Sequence, residues 1–304
     1  MEVITNFKPE ATSSTIKAYT ANLYILQKKF DSDNFEFLED FNKVLNTLED
    51  LSDSTRKNYL NAIIVYLGAI DGDKQLITKY QTVRNELSEK YVAAQESGVI
   101  SEKQKPNRTT TEEINKMLRT MELDLGGVNE SKELRKVYIL FSIYAKYPMR
   151  NDVSGMIAVK QADYKKMADT SDNILVVGRS DMKFILNNYK TDKVYGQKII
   201  QVEDKELKKQ LRKYIKLVGY GLLFTNNDGS PMSRNRITQV FIKNSKQYMG
   251  KSVSSTMLRK AYVSGKYAGQ HEVYNEMNKD ANMMGHSIAV QQKIYNKSAN
   301  LPVS

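Results

Sequence analysis

Apolar residues recur every three or four positions along most of the chain, the spacing that lines one face of an α-helix. Over residues 12–30, Ile16, Tyr19, Leu23, Leu26 and Phe30 follow the N-cap candidates Ser13, Ser14 and Thr15. A similar start returns at Ser54-Thr55-Arg56-Lys57-Asn58-Tyr59 and leads into Leu60, Ile63, Ile64 and Leu67. With no third copy, these are two similar helix starts and not a repeat array. Further helices are predicted over 35–51 and 76–94, so residues 1–95 are expected to form a small helical bundle. The periodicity then lapses over 96–111, where Gly98, Pro106 and a run of small polar residues have the composition of an exposed linker.

Helical spacing resumes at Thr111-Glu112-Glu113-Ile114, whose acidic first turn suits the helix dipole, and again over 132–147, stopping at Pro148. Only 173–202 reads as β: Ile174-Leu175-Val176-Val177, then 182–189, then Lys198-Ile199-Ile200-Gln201-Val202, separated by turn-forming stretches. Three short strands in a meander are predicted. After a basic helix over 206–218 come Leu222-Leu223-Phe224, a turn at Asn226-Asn227-Asp228-Gly229, and helices over 233–248, 254–268 and 273–284. The expected fold is mainly α with a small antiparallel β-sheet: a helical domain over 1–95, a linker over 96–111 and an α+β domain over 112–304.

Composition narrows the partner. The chain has 304 residues, 40% of them hydrophobic, enough for two cores. Lys and Arg number 46 against 35 Asp and Glu, and the net charge of +11 favours a polyanion. No apolar run approaches the ~20 residues that span a bilayer, and Met1-Glu2-Val3-Ile4 lacks a signal-peptide pattern, which turns the expectation from membrane to nucleic acid. An intracellular location, wherever the target DNA lies, follows from that expectation. With no cysteine and only His271 and His286, disulfides, thiolate sites, a cysteine nucleophile and a histidine-rich metal centre are excluded. Carboxylate sites for magnesium stay open on this ground. Any nucleophile comes from Ser, Thr, Tyr, Lys or a carboxylate.

The most distinctive stretch is Met284-Gly285-His286-Ser287, followed nine residues after the histidine by Tyr295 in Gln292-Lys293-Ile294-Tyr295. Gly285 suits a backbone conformation that other residues resist, and Ser287 is an N-cap candidate. Ahead of this tail stand Arg150 after Tyr147-Pro148-Met149, Lys190 in Tyr189-Lys190-Thr191-Asp192-Lys193, and Arg259 in Thr256-Met257-Leu258-Arg259. This order and spacing resemble the tyrosine recombinase (integrase) family, whose pattern is an arginine after a helix, a lysine on a β-hairpin, a His-x-x-Arg box, a Leu-Gly-His turn and a tyrosine about nine residues on. The resemblance covers the whole chain and implies a helical core-binding domain before the catalytic domain.

The resemblance also implies roles. Tyr295 attacks a DNA phosphodiester and forms a 3′-phosphotyrosyl link, Arg150 and Arg259 hold the non-bridging oxygens, Lys190 protonates the leaving 5′ oxygen, and His286 hydrogen-bonds the phosphate or orients the nucleophile. Thr256 departs from the family's box, where histidine or lysine is commoner; it donates a hydrogen bond but is a poor proton acceptor. Asp152, one position from the family's usual acidic site, is a shifted candidate for bracing Arg150. Lys193 is the alternative hairpin lysine.

No metal or other cofactor is implied. Double-stranded DNA is the implied partner, held by a protein that is a monomer in solution and a tetramer on DNA, as expected of a virus or other mobile element. Candidate DNA contacts are Lys17, Arg56 and Lys57 at the two helix starts, Lys103, Lys105 and Arg108 on the linker, Lys193, and Arg234 and Arg236. Most would touch phosphates and so fix position, not sequence. A type IB topoisomerase uses a similar residue set, and a DNA-binding protein with a degenerate site is compatible with Thr256. All three readings remain open on sequence alone.

Overall fold

The computed structural model describes residues 2–96, 102, 104–126, 131–167 and 170–295, except the side chains of residues 96, 271 and 295. The chain divides into two compact units, Met1–Ser101 and Glu102–Ser304.

Unit 1 is helical: α1 (Glu2–Phe7), α2 (Ser13–Lys29), α3 (Phe41–Leu48), α4 (Asp53–Ala69) and α5 (Lys74–Glu96). The kinship of the two helix starts is physical, one residue upstream of the sequence pattern at the first and two at the second. Thr12 caps α2 and Ser52 caps α4, each accepting from the backbone N–H three residues on, at Thr15 and Thr55. Each capping hydroxyl also bonds that threonine's hydroxyl, at 2.9 and 2.8 Å. Leu23, Leu26, Leu60 and Ile63 meet in a fully buried core. Tyr80 sits in the same core and spends its hydroxyl on the Leu38 carbonyl at 2.8 Å, so burial leaves no orphaned donor.

Unit 2 begins with α6 (Thr111–Leu125), whose Thr110 and Glu113 form a capping box, and α7 (Lys132–Lys146). It continues through β1 (Ile157–Lys160), α8 (Gln161–Tyr164), β2 (Ile174–Val177), β3 (Met182–Leu186), α9 (Asp192–Tyr195), β4 (Lys198–Gln201), α10 (Lys205–Val218) and β5 (Gly221–Leu222). The chain then runs through α11 (Arg234–Met249), α12 (Ser255–Lys266), α13 (Gln270–Met283), α14 (Ile288–Val290) and a π-helical segment Gln291–Tyr295.

The meander predicted over 173–202 is β2, β3 and β4, paired antiparallel. The structure adds β1, parallel to β2, and β5 on its outer edge, which makes the sheet mixed with order β4-β3-β2-β1-β5. Ile157–Lys160 is too short and too mixed in polarity to stand out from its neighbours, and pairing with β2 is what makes it a strand. All four residues of β2 are buried because both faces are covered. Leu175 and Val177 join the main core with α7, Phe184 and Phe241, while Ile174 and Val176 pack with Ile185 on the other face.

Candidate active site

The site is built where α7 ends. Pro148 cannot continue the helix, and the chain folds into tight turns, with the Asp152 N–H donating to the Arg150 carbonyl at 2.6 Å and that of Ser154 to the Asn151 carbonyl at 3.2 Å. Below the turn, the buried Tyr144 donates its hydroxyl to the Arg150 carbonyl at 2.7 Å. Asn151 ties the turn to the start of α11, donating to the Arg234 carbonyl at 2.7 Å and to Thr238 Oγ1 at 2.8 Å. Ser154 adds a bond to the Met232 carbonyl at 2.8 Å. Arg150 itself is exposed on a turn fixed from three sides.

Asp152 is the centre of the arrangement, only 5% exposed. Arg234 Nη2 lies 3.7 Å from its Oδ1. Burial pushes the Asp152 carboxyl above its ordinary value, and the charges of Arg234, Arg150 and Arg259 pull against that rise. Arg234 is thus the ion-pair partner of this carboxylate, and Arg150 and Arg259, from two other stretches of sequence, lie near enough for their charges to act on it. Tyr144 senses the same groups, since burial and Asp152 raise its hydroxyl's pKa and Arg259 and Arg234 oppose them.

Arg259 and Thr256 lie three residues apart on α12, and Arg259 Nη2 donates to Thr256 Oγ1 at 3.1 Å. The box threonine therefore holds the arginine's guanidinium. The Lys190 hairpin is joined to the cluster through buried Asn173. Its Nδ2 donates to the carbonyls of Asp152 at 2.7 Å and Asn188 at 2.9 Å, and its Oδ1 accepts from the Asn187 and Asn188 N–H groups at 2.9 and 2.8 Å. Arg234 Nη2 also reaches the Asn188 carbonyl at 3.4 Å. Lys190 and Lys193 are both exposed on the hairpin loop, which Tyr189 holds closed through its hydroxyl bond to the Gly196 carbonyl at 2.7 Å.

The tail has its own geometry. Gly285 adopts φ +73°, and the N–H groups of Gly285 and His286 cap α13 by donating to the Asn282 and Ala281 carbonyls, a Schellman end. His286 is half-buried, its Nδ1 3.2 Å from the Ser287 carbonyl, and Ser287 caps α14 through the Val290 N–H at 3.3 Å. A π-helical segment then carries the chain to Tyr295 and changes the angular register from that of an α-helix. The Tyr295 side chain lies outside the described residues.

The candidate DNA contacts differ in their surroundings. Lys17, Lys105, Arg108, Arg234 and Arg236 are exposed, and Lys105 is paired with Glu102. Arg56 approaches Asp53 at 4.0 Å, and Lys57 lies over the Tyr91 ring at 4.7 Å, so both are half-buried against their own unit. Lys103 lies outside the described residues. Sequence reasoning missed Asn173, Tyr144 and Asn151 as positioning groups, and read Arg234 only as a surface contact. A signal was present for Asn173, a polar side chain at the mouth of an otherwise unbroken apolar strand.

No protein-family model and no curated protein matches the chain. Among solved structures, similar chains include the crystal structure of XerA recombinase, at 16% identity and TM-score 0.35 over 98% of this chain and 96% of that one. A second is the crystal structure of XerH site-specific recombinase bound to difH substrate in a pre-cleavage complex, at 16% identity and TM-score 0.40 over 91% of this chain and 74% of that one.

Proposed function

We propose that the chain is a tyrosine site-specific DNA recombinase, with unit 2 as its catalytic part and Tyr295 as nucleophile. The observation that carries this reading is buried Asp152, paired with Arg234 at 3.7 Å, near enough to Arg150 and Arg259 for their charges to act on it, and tied through Asn173 to the hairpin bearing Lys190. Arg150 and Arg259 are the two arginines that the motif order singles out. A phosphodiester under attack gathers negative charge on its non-bridging oxygens, and guanidiniums held in place by their neighbours stabilise that charge. Guanidinium forks suit the task because they stay charged and offer paired donors.

In this reading the Tyr295 phenolic oxygen attacks phosphorus and gives up its proton as the bond to the 5′ oxygen breaks. Lys190 or Lys193 supplies the proton that the leaving oxygen takes up. The 3′-phosphotyrosyl bond conserves the energy of the original link, so a 5′ hydroxyl from a second strand can attack it and restore a phosphodiester without ATP. Thr256, bonded to Arg259, serves as a positioning residue. The family's tetramer on DNA belongs to the same proposal.

The test is incubation of wild-type and Tyr295→Phe protein with labelled duplexes tiling the DNA beside the gene, in EDTA, followed by denaturing gels. A covalent adduct with wild type alone is the expected result. Exchanged strands in the products separate a recombinase from a nicking and resealing enzyme. Native retardation without any adduct, even on nicked duplexes that trap the intermediate, would leave a binding protein and overturn the catalytic reading.

A further inference from the structure

The strands of unit 2 have two ends, and the arginine cluster occupies only one. At the other, the last residue of β1, Lys160, the turn Gly178-Arg179 after β2, and Arg212 and Lys216 on α10 line a pocket of about 630 Å³ with Tyr220. Arg212 and Lys216 are four apart on α10 and so present to the same side. The pocket lining contains four cations and no carboxylate. Among the described residues none of the four is ion-paired, whereas Lys105, Lys136, Lys146, Lys209 and Lys251 all are.

Arg212 has a structural task, its Nη2 donating to the Gly178 and Arg179 carbonyls at 3.3 and 3.2 Å. That leaves donors on the rest of its fork. Lys160 Nζ lies 5.3 Å from the centre of the half-exposed Tyr220 ring, so a cation and an aromatic face share one wall. Converging like charges oppose folding, and of these four cations Arg212 is the one whose side chain secures the backbone in return. A concave surface of one sign focuses the field on an anion. Unpaired cations on a concave surface suit a nucleic-acid backbone, whose phosphates need charge.

Distance separates this pocket from the reactive cluster. Asn173 and Gly178 bracket β2 at its two ends, and at about 3.3 Å per residue the strand holds them roughly 16 Å apart. The phosphate held by Arg150 and Arg259 is therefore not the one that Lys160 and Arg179 would hold. We propose that this pocket binds backbone phosphates of a nucleic-acid segment other than the one at the arginine cluster. The inference rests on nucleic acid being the partner, but not on Tyr295 chemistry.

The test compares full-length wild type with the combined variant Lys160→Gln, Arg179→Gln, Lys216→Gln, leaving Arg212 in place because it holds two carbonyls. Affinity for a labelled mixed-sequence duplex is measured against salt, and lysine acetylation is mapped with and without the duplex. The variant's salt slope is expected to fall by about one for every phosphate it no longer neutralises. Lys160 and Lys216 are expected to be protected by the duplex. An unchanged slope with both lysines unprotected overturns the proposal, as does protection by a polyglutamate peptide and not by duplex, which would mark an acidic protein segment as the occupant.

The two readings fail separately. A wild-type adduct together with an unchanged slope removes the pocket and keeps the recombinase; a reduced slope and protected lysines without any adduct keep the pocket and remove the recombinase. No duplex binding by wild type at low salt removes both.

Discussion

A single buried carboxylate, Asp152, feels the charges of both arginines that the motif order singled out, Arg150 and Arg259. Burial raises the folded-state pKa above the unfolded value, so the group's favourable contribution is complete below the unfolded value, about 4, and is lost as pH rises through the folded one. Asp152→Asn removes this dependence. Its thermal stability relative to wild type is expected to improve steadily from acid pH towards neutrality, and a difference that stays flat across such a series counts against a raised carboxyl. If the proposed recombinase reading holds, Arg150→Ala and Arg259→Ala each remove a donor to the attacked phosphate, and each is expected to lower the rate of adduct formation by about 10²- to 10³-fold in single-turnover assays. Arg259→Ala also frees Thr256 from its bond, whereas Thr256→Val leaves the arginine charged and is expected to cost less than either.

Between elements, one amide does the joining. The Asn173 side chain links the Asp152 turn to the Lys190 hairpin through four hydrogen bonds. Asn173→Ala strands buried backbone groups on both sides and is expected to destabilise unit 2 by about 2–4 kcal/mol in chemical denaturation. At the tail, Gly285 has open space where a Cβ would go but a positive φ, so Gly285→Ala meets strain and not a clash. A cost of about 1 kcal/mol is expected, seen as faster hydrogen exchange at the end of α13 with little change in global unfolding. The helices that begin near residues 13, 54 and 111 were legible from spacing, although the caps in use, Thr12, Ser52 and Thr110, lie one or two residues upstream of the candidates. Strand β1 was not, because four residues of mixed polarity become a strand only through a partner that arrives later in the chain.

Across the whole chain, the excess of positive charge governs how any polyanion is approached. Wild-type affinity for duplex DNA is expected to fall steeply between about 50 and 200 mM salt, as counterion release requires, and a flat response would argue against phosphate contacts. No helix among the described residues is long and apolar enough to cross a membrane. By itself the sequence determined the predominance of helix, the position of the meander, the turn at Gly285 and the order of the candidate residues. Those depend on local spacing, on capping and on residue chemistry, which the chain carries wherever it folds. Only the tertiary structure decided that Arg234 pairs with Asp152 and that Arg150 and Arg259 come close enough to act on it, that Asn173 joins a turn to a hairpin, and that four cations without ion pairs among the described residues gather at the far end of the sheet. These are meetings between residues brought together by how α7, α11, α12 and the sheet pack, and no local pattern encodes them.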